Sequence, residues 1–145
     1  MTRQNRRLTP ARIFAHIRDV TGHAAGHLGA YAPGYAAALR ALPVVTDGPS
    51  LRAWRSALVA ARDAWHTSLR YAAEREAISA APDGGMALSI ASALDVLAIE
   101  AGFALLAGEI DGAFLAAVEA CDPRPTRLLF VRAWRRAGAQ PVAID

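Results

Sequence analysis

An all-α fold is what this sequence predicts, and three observations predict it. Apolar residues recur at intervals of three and four over most of the chain. Alanine, the strongest helix former, supplies much of the 54% hydrophobic content. No run alternates with period two for long enough to read as a strand. At 145 residues the chain is one domain, large enough for a real core. The expectation is a single-domain helical bundle of five or six helices around a central apolar helix at about 86–107. A flexible basic arm occupies 1–8, the bundle 9–138 and an extended tail 139–145.

Thr9-Pro10 reads as a helix start, with Thr as N-cap and Pro at the first helical position. That helix is expected to run to about Ala30, with Ile13, Phe14, Ile17, Val20, Ala24 and Leu28 facing inward. Gly22, Gly26 and Gly29 repeat on another side; each costs about 1 kcal/mol against alanine, so a second backbone is expected close by. Pro33-Gly34 interrupts, and residues 35–42 make a short helix before the loop at 43–50. The next helix is expected from about Ser50 to Ala81. Its stripe is Leu51, Trp54, Leu58, Ala61, Trp65, Leu69 and Ala72, with the two tryptophans as core anchors and Arg52, Arg55, Arg62 and Arg70 on the far face.

Residues 82–85 form a turn, and Met86–Ala107 follows, apolar on nearly every side. Ile90, Leu94 and Leu97 share one side; Val96 and Phe103 fall on a second, and Leu88, Ile99 and Leu106 on a third. The run has the length of a bilayer span. An acid near mid-membrane costs about 3 kcal/mol, however, and Asp95 and Glu100 interrupt this one. The segment therefore reads as the innermost rod of a soluble bundle, with its two acids paired inside the fold. Beyond Gly108, Asp111 N-caps a helix through Cys121, and Asp122-Pro123 starts a last helix that ends near Arg136 with Gly138 after it.

Charge is segregated. All sixteen basic residues are arginine, with five in residues 1–18 and five in 124–136, and neither segment holds an acid. Residues 83–122 hold seven acids and no base. Arg12, Arg18, Arg127 and Arg132 are thus the expected partners of Asp95 and Glu100, because the arginine fork grips a carboxylate through two bonds. The same basic ends, Arg3, Arg6 and Arg7 in the arm and Arg132, Arg135 and Arg136 around Trp134, are the candidate interaction surface, and they leave nucleic acid open as a partner.

Chemistry-bearing motifs are sparse. His23 and His27 stand at i and i+4, a spacing that can place two imidazoles on one metal; His16 lies two turns away. His66 follows Asp63 at i+3, but no Glu-x-x-His pair of the di-iron bundle kind occurs. Asp95 and Glu100, if buried, are candidate acid–base groups. The chain has no P-loop, G-x-G-x-x-G, G-x-S-x-G or H-E-x-x-H motif. Cys121, alone and at a helix C-terminus, reads as a small buried hydrophobe rather than a nucleophile.

These patterns lead to the expectation of a small cytoplasmic protein, bacterial or encoded by a phage or mobile element. It works without catalysis, as a regulator, adaptor or inhibitor that contacts a protein partner. No cofactor is expected and no membrane. A homodimer burying the glycine stripe or part of the central helix is compatible with the pattern. Two rivals stand beside this reading. One is a bundle holding a divalent metal or small molecule with His23, His27, His66, Asp95 and Glu100; the other is an arginine-rich nucleic-acid binder.

Overall fold

In the computed structural model, which describes residues 8–124 and 130–144, helices dominate and only two short strands occur. The order is α1 (Pro10–Leu28), α2 (Pro33–Arg40), α3 (Gly48–His66), α4 (Tyr71–Ala80), α5 (Gly84–Ala107), β1 (Glu109–Ile110), α6 (Gly112–Ala120), α7 (Phe130–Arg136) and β2 (Val142–Ala143). Seven helices thus replace the expected five or six. α5 is the central element: α1, α3, α4 and α6 all pack against it. Around this axis α2 bridges α1 and α3, and α7 rests on α6.

Three helices, α1, α3 and α6, start on side-chain caps. Thr9 accepts a hydrogen bond from the Arg12 backbone N–H at the start of α1. Asp47 and Ser50 form a reciprocal capping box at α3, each side chain bonding the other's backbone N–H. Asp111 accepts from the Phe114 N–H at 3.0 Å to open α6. Gly108, with φ 74°, ends α5 in the left-handed conformation that glycine adopts without a Cβ clash. The chain then reverses, and the tail returns to pair β2 antiparallel with β1, Glu109 opposite Ala143 and Ile110 opposite Val142.

Three expectations need correction. The long helix proposed over 50–81 is two helices. Thr67 Oγ1 and Ser68 Oγ donate to the carbonyls of Asp63 and Trp65, which competes with continuing the helical ladder. Trp65 holds the corner: its ring stacks on Tyr35 at 4.6 Å, meets Tyr71 edge-on, and its indole N–H donates to Glu74 at 2.9 Å. Leu69, assigned to the buried stripe, lies fully exposed on the break, and Ala72 is exposed as well.

The glycine stripe is the second correction. A Cβ at Gly22 or Gly26 would meet nothing within 4 Å, and one at Gly29 would meet helix carbonyls and the Arg40 guanidinium. No second backbone approaches that face among the described residues. The close approach occurs instead at Gly112, where a Cβ would lie 2.8 Å from the Trp134 ring. Gly112→Ala should therefore lower stability by about 1–3 kcal/mol, the usual cost of overpacking. Gly112 is the first residue of α6, so the helix-propensity gain from alanine is small there. A thermal melt with an unchanged midpoint would refute this packing.

The third correction concerns α5 itself. Ile90, Leu94 and Leu97 form its buried side, against Ile17, Leu58 and Phe114 in the same core. Of the other two sides, Val96, Ile99, Phe103 and Leu106 face outward, while Leu88 is partly buried against the core. Gly85–Ala107 is long and apolar enough to cross a membrane, yet only 39% of its most apolar window is buried in the fold. The rod is central in the order of packing but open along one flank.

Candidate functional site

Where α5 is uncovered, it shows a continuous apolar row. Val96, Ile99, Phe103 and Leu106 are 49%, 53%, 62% and 87% exposed. Their spacing of three, four and three is that of a coiled-coil seam. The row continues toward the N-terminus at the same spacing through Ser92 and Ser89, both exposed and small. One helix edge thus carries large side chains at its C-terminal half and hydroxymethyl groups at its N-terminal half. Isolated exposed apolar residues are ordinary, whereas a contiguous row of this kind is not.

The walls of this row differ. Toward α6, an open trough is lined by Ser89, Ser92, Ala93, Ala113, Ala116 and Ala120. Toward α3, the row is bordered by Arg52, Arg55 and Ser56, with Gly102 beneath them. Arg55 reaches across α5 and donates through Nε to the Ala98 carbonyl at 2.7 Å. It occupies the space a side chain at position 102 would take.

The two acids of α5 flank the row. Asp95 lies on the α3 side, 2.8 Å from the Arg62 Nε. Its partner is therefore none of the arginines expected from the charge segregation, and Arg62 is not on a free face. Helix spacing, with α3 packed directly on α5, put Arg62 within reach; the sequence separation of 33 residues hid it. Glu100 lies on the other flank, one heptad beyond Ala93. It is half-buried and makes no ion pair among the described residues.

A second polar cluster lies elsewhere, and the sequence reading had assigned its centre only as a helix cap. The Asp122 carboxylate is fully buried, accepts from the Arg124 backbone N–H at 3.0 Å, and is gripped by the Arg124 guanidinium at 2.7–2.8 Å. His16 Nε2 is 3.1 Å from the same carboxylate, and Arg124 continues to Asp19 on α1. The Arg124 guanidinium holds the Asp122 carboxyl down at about 2, well below the usual carboxylate range. Burial lowers the His16 pKa from 6.5, against the pull of Asp122 and Asp19. The cluster ties α1 to the segment after α6. Its one signal in the sequence is the juxtaposition of the acidic third quarter with the basic end.

The histidines proposed for metal do not converge. His23 Nε2 is 4.0 Å from Asp19 on its own helix, while His66 packs against Trp65 and Tyr71. His27 lies half-buried in the last turn of α1. No group of three or more His, Cys, Asp or Glu placed to hold a metal ion occurs among the described residues. Of the candidate arginine surface, Arg132, Arg135 and Arg136 are exposed on α7. Arg3, Arg6 and Arg7, with Arg127, fall outside the described residues. Cys121 is buried, and burial pushes its thiol up to about 12, which removes the thiolate a nucleophile needs.

Compared with known protein families, curated proteins and solved structures, the chain matches none of them. The functional reading therefore rests on the geometry above.

Proposed function

We propose that this protein acts without catalysis, as a small helical regulator, adaptor or inhibitor, and that the uncovered edge of α5 is the surface through which it contacts another macromolecule. The observation that carries the reading is the row Val96, Ile99, Phe103 and Leu106, exposed side by side on the one described helix that is long and apolar enough to cross a membrane. Leaving these side chains in water forgoes burial worth about 1.5–3 kcal/mol for each large one. A soluble bundle that exposes them gains that energy only when something covers them. Charged walls on one side and small residues on the other give the surface direction.

The test is the double substitution Ile99→Glu with Phe103→Glu. Both sites are exposed, so helicity and melting midpoint should stay close to those of the parent. Association through the face should be lost, read by sedimentation velocity and by co-purification with any bound macromolecule. A double variant with the parent's hydrodynamic size and the parent's bound partners would remove α5 from the contact surface.

A further inference from the structure

We infer that the occupant of the α5 face is a second copy of this chain, docked antiparallel across a two-fold axis that passes between residues 97 and 98. The inference rests on the proposed contact role of this face and names its partner. Its basis is a symmetry in the row itself. Val96 and Ile99, Ser92 and Phe103, and Ser89 and Leu106 are each symmetric about that midpoint. In an antiparallel helix pair these are the residues that meet in successive layers. Each outer layer then sets one large side chain against one small one. Phe103 and Leu106 of one copy enter the trough of the other, between Ser89 and Ser92 on α5 and Ala113, Ala116 and Ala120 on α6. The two central layers pair Val96 with Ile99. An isologous contact of this kind uses the same patch twice and closes at two.

Charge selects the same orientation. Asp95 and Glu100 stand on opposite flanks of the row, five residues apart. In a parallel pair those flanking positions face each other across the seam, so Asp95 of each copy would oppose Glu100 of the other, twice. In the antiparallel pair each flank meets its own kind. Asp95 comes opposite Gly102 of the second copy, where the Arg55 guanidinium lies over the helix. Glu100 comes opposite Ala93 and the alanine wall of α6. Each copy thus offers an acid to an arginine of the other, and the opposition of Asp95 to Glu100 disappears. The absence of a side chain at Gly102 is what lets Arg55 lie flat there, since a Cβ would be 2.9 Å from its Nε.

Sedimentation velocity and single-cysteine cross-linking of the full chain decide the matter. The protein should sediment at twice the 15.3 kDa chain mass at tens of micromolar, and Ile99→Glu with Phe103→Glu should return it to one chain mass. Ser89→Cys and Leu106→Cys, both at exposed positions, should form a disulfide only when the two variant chains are mixed. In the antiparallel pair, position 89 of one copy is about 25 Å from position 89 of the other, 17 residues at 1.5 Å each. Cys121 is buried and stays in place as an internal control. Homodisulfides from each variant alone would show a parallel pair and overturn the orientation. A parent that stays at one chain mass at 100 μM overturns the dimer, and contact of the face with another macromolecule then stands on its own test. Binding of that monomer to anionic lipid vesicles would reassign the face to a membrane surface. A dimer that survives the Ile99→Glu, Phe103→Glu double variant is held by another surface and overturns the docking through α5.

Discussion

Leu97→Ala should destabilise the fold by about 2–5 kcal/mol, while Phe103→Ala, six residues along the same helix, should change monomer stability by less than about 0.5 kcal/mol. Leu97 is fully buried at the centre of α5, where truncation removes transfer energy and leaves a cavity that neighbouring helices cannot collapse. Phe103 projects into solvent, so its removal takes away little that folding had buried. By composition the two sites belong to one uniformly apolar run. The contrast therefore reads directly which side of the helix is inside. For a chain of this size about 2–4 °C of melting midpoint accompanies each kcal/mol, so the Leu97 variant should melt about 4–20 °C lower. Urea melts at low protein concentration check both values. Equal losses at the two positions would mean that α5 is enclosed on all sides and that its outer edge is no contact surface.

Acid should weaken the fold in two stages, both through the cluster that joins α1 to the segment after α6. His16 has its pKa lowered by burial, so the unfolded chain takes up a proton more readily than the folded one. Its contribution is complete above the unfolded value of 6.5 and is lost as pH falls below it. Asp122 is depressed from 3.8 to about 2 by the Arg124 guanidinium. Its contribution is present above 3.8 and disappears as pH falls toward about 2. His16→Leu should flatten the first stage, and Asp122→Asn the second. Asp122→Asn should also cost about 1–3 kcal/mol at neutral pH, the range for charged hydrogen bonds to a buried group. The figure stays below that of a fully buried ion pair because Arg124 is about one-third exposed and water can take over its guanidinium. Thermal midpoints between pH 7 and pH 2 provide the check, and a parent with no slope across pH 6.5 to 5 would exclude a buried neutral His16.

The interaction of Asp95 with Arg62 shows where sequence reasoning stopped short. The acid was legible as an expensive group in an apolar helix, and the requirement for an arginine partner followed from burial cost alone. Which arginine answered depended on α3 lying against α5, and charge segregation pointed to the chain ends instead. The break at Thr67 was likewise hidden, because heptad spacing continues through Leu69 while side-chain hydrogen bonds to the carbonyls end the helix there. Asp122 looked like a cap, and its burial beneath His16 and Arg124 arises only when α1 returns to the end of α6.

The sequence by itself determined what is local. Caps at Thr9 and Asp111, the stop at Gly108, the inward residues of α1 and the anchoring by Trp54 and Trp65 all follow from hydrogen bonds and periodicity spanning a few residues. It also determined that α5 is apolar all round, a property of composition. Only the tertiary structure decided which side of α5 is covered. Four helices can sheathe a 24-residue rod along part of its circumference, and their order of packing, fixed by contacts distant in sequence, leaves the Val96–Leu106 edge to water.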